Sequence, residues 1–307
     1  MRSEETSEPI HVFQMAKVAS MSWMRLLMTV FPDSEVNHFH FVSSEKAAFI
    51  RDIKETSGPT QTIKFLPMSR RLGSPPASVA EALETGRLPQ TPATIVAGVR
   101  DPVARAASLT CFSGSFMGHR ERGLSVRDGG KAEDLLWAFH RGVTAAREGR
   151  DYYDTFFRLL GRSIGDYRTW FVQELRNNFG IDINTAEFDR RSACLVINEG
   201  PVRLFLYRME DIGDPARKER VLSSAAEFFG KDLPDLPSEN QSSKRRSGEL
   251  DKTFRELICL ERPVLDWFYD CDVVRQFYTE GEVAQFRKRW GQTSPVSAGD
   301  DGRSLSE

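Results

Sequence analysis

The feature that most constrains the fold is the run Ala93-Thr-Ile-Val-Ala-Gly-Val99. Seven uncharged residues, with β-branched side chains at its centre, fit a strand buried on both faces of a parallel sheet. Arg100 closes the run and Asp101-Pro102 opens a helix at once. Aspartate is a favoured N-cap, and proline at the first helical position gives up an N–H that has no helical partner.

The rest of the chain repeats this alternation. Ile10 to Met15 reads as a buried strand, and a helix follows from about Ser20 to Phe31. A second strand is predicted over Val36 to Val42, a serine-capped helix over Ser44 to Glu55, and a short third strand over Thr62 to Leu66. Ala132 to Phe179 reads as almost wholly helical. There Ile164, Tyr167, Trp170, Phe171, Leu175 and Phe179 mark a core face, and Gly180 is the stop. Strands at Ala193 to Asn198 and Val202 to Arg208 precede a helix at Pro215 to Phe229, a polar loop from Pro234 to Gly248, and C-terminal helices. The expected fold is therefore α/β, a P-loop-like parallel sheet flanked by helices, with a large helical insertion. We expect one domain over residues 10–291, with polar tails at 1–9 and 292–307 that read as disordered.

Composition narrows the classes of function. Formal net charge is −2 over 307 residues, so the chain lacks the basic character of a nucleic-acid binder, and any anion site must be built locally. Cys111, Cys194, Cys259 and Cys271 are scattered, with no CxxC pair, and read as reduced thiols rather than a metal site. The apolar stretch from Ile10 to Phe31 is interrupted by Lys17 and Arg25. It also lacks the basic start and small-residue cleavage site of a secretory signal. These absences lead to the expectation of a cytoplasmic protein with no membrane span and no metal. Oligomeric state is not legible.

Two segments carry candidate anion chemistry. Lys17-Val-Ala-Ser-Met-Ser22 lies between the first strand and the first helix, where free amides and the positive end of a helix dipole meet an anion. Lys17 adds a charge, and Ser20 and Ser22 add hydroxyls. The segment is not a Walker A loop, because GxxxxGK[ST] is missing, and it also fits a solvated lysine before an ordinary serine cap. The second segment is Arg100-Asp-Pro-Val-Ala-Arg105-Ala-Ala-Ser108. Arg100 ends a strand where open α/β sheets bind ligands, and a guanidinium suits a pair of phosphate oxygens. An Arg100 paired with a nearby acid, and a Ser108 on a solvated face, fit as well.

Together the two segments resemble the paired signature of PAPS-dependent sulfotransferases, closest to bacterial capsule-type and carbohydrate enzymes. The second segment is similar to their R-x-P-x-x-R-x-x-S element, here Arg100, Pro102, Arg105 and Ser108. Trp170 to Asp182, Leu206 to Asp211, and Phe277 through Trp290 also resemble the bacterial relatives, so the likeness spans most of residues 10–291. It implies that Lys17 through Ser22, including Ala19 and Met21, hold the 5′-phosphosulfate of 3′-phosphoadenylyl sulfate (PAPS), and that Arg100 and Ser108 hold the 3′-phosphate. It implies PAP as the product and a hydroxyl-bearing small molecule or glycan as acceptor. Ala19 stands where the family has glycine, and Met21 where it has a hydroxyl residue.

For the base, Asn37-His38-Phe39-His40-Phe41 places His38 and His40 on one face of a strand and the two phenylalanines on the other. Imidazole suits removal of an alcohol proton. The resemblance makes His40 the base and His38 an orienting or acceptor-binding partner. Lys17 then serves the leaving oxygen. In the late basic loop, Lys244 and Arg245 are further candidates for the 3′-phosphate, although charge runs are usually solvated. Glu210 and Asp211 read first as capping residues, and Arg70 and Arg71 as exposed arginines. A nucleotide-dependent kinase and a non-catalytic PAP- or partner-binding descendant are the competing readings.

Overall fold

The computed structural model describes residues 8–56, 77–116, 131–149, 155–198, 200–237 and 248–291. The expected strand at Thr62 to Leu66, the arginine pair Arg70 and Arg71, and Lys244 and Arg245 lie outside them. Among the described residues, five strands form one sheet: β1 (Ile10–Phe13), β2 (Val36–Phe39), β3 (Ala93–Val99), β4 (Cys194–Ile197) and β5 (Val202–Arg208), in the order β2-β1-β3-β5-β4. β1, β2, β3 and β5 run parallel. Helices α1 (Ser20–Val30), α2 (Ser44–Thr56) and α3 (Ala77–Glu84) precede β3. The insertion between β3 and β4 contains α4 (Pro102–Phe116), α5 (Ala132–Glu148) and α6 (Thr155–Gly165), then a π-helical turn at Phe171–Arg176. After β5 come α7 (Pro215–Phe229), α8 (Gly248–Leu257), α9 (Arg262–Tyr269), α10 (Asp272–Phe277) and α11 (Glu280–Gly291). The α/β architecture with its helical insertion is as the sequence predicts.

Two strand expectations need correction. β4 is antiparallel to β5, because the connection from Asn198 to Pro201 is too short for a crossover and makes a hairpin, with Gly200 at φ 74°. β2 ends at Phe39 rather than Val42. It is an edge strand matched to the four residues of β1, and beyond Phe39 its backbone bonds to the insertion instead.

The two faces of the sheet bury separate cores. On one, Phe13, Phe39, Ile95, Val99, Leu204 and Leu206 pack against the insertion, where the expected face from Ile164 to Phe179 is indeed buried. On the other, Val12, Val96, Phe205 and Tyr207 pack against Trp23 and Leu27 of α1 and Val221 and Phe228 of α7. The C-terminal helices are pinned to the start of α4. There the Asp101 carboxylate accepts hydrogen bonds from Tyr269 Oη (2.8 Å), Trp290 Nε1 (2.7 Å) and the Val103 amide (3.0 Å). Among the described residues, no helix is long and apolar enough to cross a membrane.

The chain moves from β1 outward to β2, then returns to place β3 on the other side of β1. The loops after β1 and β3 therefore flank a topological switch point, where such sheets open a crevice. Gly98 shapes its floor. An added Cβ there would lie 2.8 Å from Tyr207 Cζ and 3.0 Å from Gln14 Oε1, two groups that bond to each other above it. We expect Gly98→Ala to displace the Tyr207 ring and cost about 1–3 kcal/mol, as overpacking does. Urea denaturation of the two proteins measures the difference.

Candidate functional site

The connection from Gln14 to Ala19 is built as a loop whose carbonyls face the protein. The Gln14 carbonyl lies 2.7 Å from His40 Nδ1, the Ala16 carbonyl accepts from Arg105 Nε at 3.2 Å, and the Lys17 carbonyl accepts from Arg100 Nη1 at 3.2 Å. The Val18 carbonyl accepts from the Tyr207 hydroxyl, which also reaches Gln14 Oε1 at 3.0 Å. With four carbonyls held inward, the backbone turns through left-handed conformations at Lys17 (φ 74°) and Ala19 (φ 65°). Ala19 occupies the N-cap of α1 and supplies no side-chain cap. The Ser22 and Trp23 amides return to the Ala19 carbonyl (3.1 and 3.3 Å), so the first amides with no intrahelical acceptor are those of Ser20 and Met21. Ser20 and Ser22 lie just inside the helix and are buried, Met21 is half-buried, and the Lys17 ammonium sits 4.4 Å from the Phe112 ring centroid. The Ala19 departure from glycine is thus accommodated by holding an alanine in a glycine-like conformation.

Arg100 meets this loop directly. Its two acidic neighbours are otherwise engaged: Asp101 as above, and Glu210 by the Asp101 amide (2.9 Å) and the Tyr278 hydroxyl (2.8 Å). Neither pairs with Arg100, whose charged form is disfavoured first by burial and next by Arg255 of α8. Two guanidiniums within Coulombic reach of each other, with the acids satisfied elsewhere, form a site suited to a phosphate. Ser108 is half-buried and lies three residues after Arg105 and four before Phe112, on the loop-facing side of α4. Arg105, between Arg100 and Ser108 in the motif, serves the loop itself. It is buried beneath the loop, donates to Ala16 and to the Ser163 carbonyl (3.0 Å), and burial lowers its pKa to about 10. Asp211 is part of a buried ion-pair network with Arg208 and Arg217, while Glu210 accepts from the amide that starts α4.

His40 lies just beyond the end of β2, so the simple alternation expected of the H-x-H pair stops there. Phe39 is in the core, 4.6 Å from Phe13 between ring centroids, whereas Phe41 lines a cavity with His40 instead of packing under a helix. That cavity, of about 80 Å³, runs beneath the loop and is walled by Ala16, His40, Lys46, Arg105, Phe112 and Asp166, among others. Because a carbonyl can only accept, the contact with Gln14 puts the neutral ring's proton on Nδ1 and leaves Nε2 as the base. Burial lowers the His40 pKa to about 3, with His38, Arg105 and Lys46 adding to the effect. His38 meets His40 edge to face at 4.6 Å and does not line this cavity. Its Nε2 is buried with no partner among the described residues, and burial lowers its pKa to about 4. Lys46 is ion-paired with Asp166, and burial brings it down to about 7.

The structure thus brings together Lys17, Ala19, Ser20, Met21 and Ser22 with Arg100, and His40 with the same loop. Sequence reasoning missed Arg255, Lys46 and Asp166. Each sits on a helix at an ordinary amphipathic position, where no motif marks it. No protein-family model matches the chain, and neither a curated protein nor a solved structure matches it.

Two outcomes follow. Ala19→Gly relieves the left-handed strain and is expected to raise the unfolding free energy by about 1 kcal/mol in urea titration, while Ala19→Val lowers it. Burial also makes stability depend on pH. Burial brings His11 and His38 down to about 4 and His40 to about 3 in the folded chain, against an ordinary imidazole value of 6.5. Between those limits the unfolded chain binds protons that the folded chain does not. The histidine contribution is complete above pH 6.5 and is lost as pH falls toward 4. The denaturation midpoint should fall in that window, and His38→Asn should flatten the slope.

Proposed function

We propose that the chain is a sulfotransferase that moves a sulfuryl group from PAPS to a hydroxyl by in-line transfer. The observation that carries this reading is the bond from Arg100 to the Lys17 carbonyl, with His40 bonded to Gln14 of the same loop. It joins two anion-binding elements and a base of defined tautomer to one loop. The loop amides, Lys17, Ser20 and Ser22 take the 5′-phosphosulfate, and Met21 contributes its backbone. Arg100, Ser108 and Arg255 take the 3′-phosphate.

In the reaction, His40 Nε2 accepts the proton of the acceptor hydroxyl as its oxygen forms the new S–O bond. The bond from sulfur to the 5′-phosphate oxygen breaks, and Lys17 neutralises that oxygen as PAP forms. Preorganised charge of this kind is worth about 3–4 kcal/mol of barrier. Burial first, then His38, Arg105 and Lys46, bring the His40 pKa down to about 3 and keep the ring neutral, the form that can accept a proton. The acceptor enters the cavity below the loop, and a carbohydrate hydroxyl is the class that the family resemblance supplies. We place the reaction in the cytoplasm, a reducing compartment that suits the free thiols of Cys111, Cys194, Cys259 and Cys271.

Calorimetry with PAP and with ATP–Mg²⁺, followed by an acceptor screen with labelled PAPS, tests the reading. PAP should bind and ATP–Mg²⁺ should not; the reverse rejects it. PAP binding without transfer to any glycan or alcohol would favour the non-catalytic alternative. Arg100→Ala and Arg255→Ala should each weaken PAP by about 10- to 150-fold, the loss of a charge-assisted hydrogen bond. His40→Ala should lower turnover by about 10²- to 10⁴-fold while sparing PAP affinity.

A further inference from the structure

Glu174 is almost fully buried, at 1% exposure, yet among the described residues it makes no ion pair in direct contact. Its Oε2 accepts from the amides of Val42 (2.7 Å) and Ser43 (2.9 Å), and its Oε1 accepts from the Ser43 hydroxyl (2.7 Å). These amides lie at the N-cap of α2 and one residue before it; the helix's own cap is local, the Ser43 hydroxyl accepting from the Lys46 amide at 3.4 Å. The carboxylate that holds the two amides lies more than 130 residues away in sequence, and a buried charge is costly unless its hydrogen bonds are complete. Four residues earlier, Trp170 Nε1 donates to the His40 carbonyl at 2.8 Å. The turn from His40 to Ser43 is therefore held at its carbonyl end by Trp170 and at its amide end by Glu174. Both come from the stretch that opens the π-helical turn Phe171–Arg176, a distortion common at functional sites.

The consequence falls on the imidazole. His40 has left the sheet, so no strand partner fixes its backbone. Its ring is oriented by a hydrogen bond from Nδ1 to the Gln14 carbonyl, with the His38 ring packed edge to face against it. That contact survives only while the turn holds its place against β1. We propose that Glu174 is a positioning residue for His40: with Trp170 it clamps the turn that aims the imidazole and keeps its proton on Nδ1. The inference rests on the reading of His40 as the base. Burial lowers the Lys46 pKa and Glu174 acts against that lowering, and the Lys46 amide donates to Ser43 Oγ at 3.4 Å, so the same clamp also reaches the start of α2.

The test uses ¹⁵N-histidine labelling of the full chain, which has five histidines, with His40→Ala to assign the signal. In the parent protein, His40 should show the Nδ1-protonated tautomer at neutral pH. Glu174→Gln, which keeps the shape and removes the charge, should move that signal toward an average of the two tautomers. It should also lower kcat by about 10- to 100-fold, as loss of an orienting partner does, and leave PAP affinity within about twofold. Trp170→Phe removes the other clamp and should give the same signature, so a misfolded Glu174 variant does not end the test. An unchanged tautomer in both variants overturns the inference. So does an equal loss of PAP affinity and kcat, which marks a general structural role. If the tautomer shifts as expected but the parent protein sulfates no acceptor, the positioning role stands and the sulfotransferase reading fails.

Discussion

The site depends on turning the carbonyls of one short loop inward. Gln14, Ala16, Lys17 and Val18 each offer a carbonyl to a different side chain: His40, Arg105, Arg100 and Tyr207. Those donors come from three other parts of the chain, namely the segment after β2, the junction of β3 with α4, and β5. A peptide group that points its oxygen inward must point its N–H the other way. One set of bonds therefore shapes the loop and turns amides toward the crevice, where an anion can collect them.

This arrangement explains how the loop does without glycine. Lys17 and Ala19 take positive φ values that cost free energy for any residue with a Cβ. Strain of that kind persists only where the surroundings over-determine the conformation, and four anchored carbonyls do so. Gly98 is needed for another reason. Its missing side chain lets the Tyr207 hydroxyl and the Gln14 amide oxygen meet over the strand between them. The glycine requirement has in effect moved from the loop to the floor beneath it.

The cations at the switch point are arranged so that their acids are spent elsewhere. Asp101 is committed to Tyr269 and Trp290, and Glu210 to the Asp101 amide and Tyr278. The C-terminal helices thereby do more than close the core. By occupying the carboxylates beside Arg100, they keep both from a direct ion pair with it.

The strand at Ala93–Val99, the helix at Pro215–Phe229 and the aromatic face from Ile164 to Phe179 were legible because burial of many apolar side chains in a regular period leaves a mark on sequence. The antiparallel β4 and the early end of β2 were not, because strand direction and length are decided by which partner has free backbone groups. In the site, Lys17 and Arg100 stood out from their place at strand ends. Arg255, Lys46 and Glu174 did not, since a single polar residue on a helix has the same local pattern whether it faces solvent or a crevice. By itself the sequence determined the periodicities, the order of elements and the strand ends where charge could gather. Tertiary structure alone decided which carbonyls turned inward, which acids were already engaged, and which nitrogen of His40 carries its proton. Those are matters of contacts between residues far apart in the chain, and local propensity does not encode them.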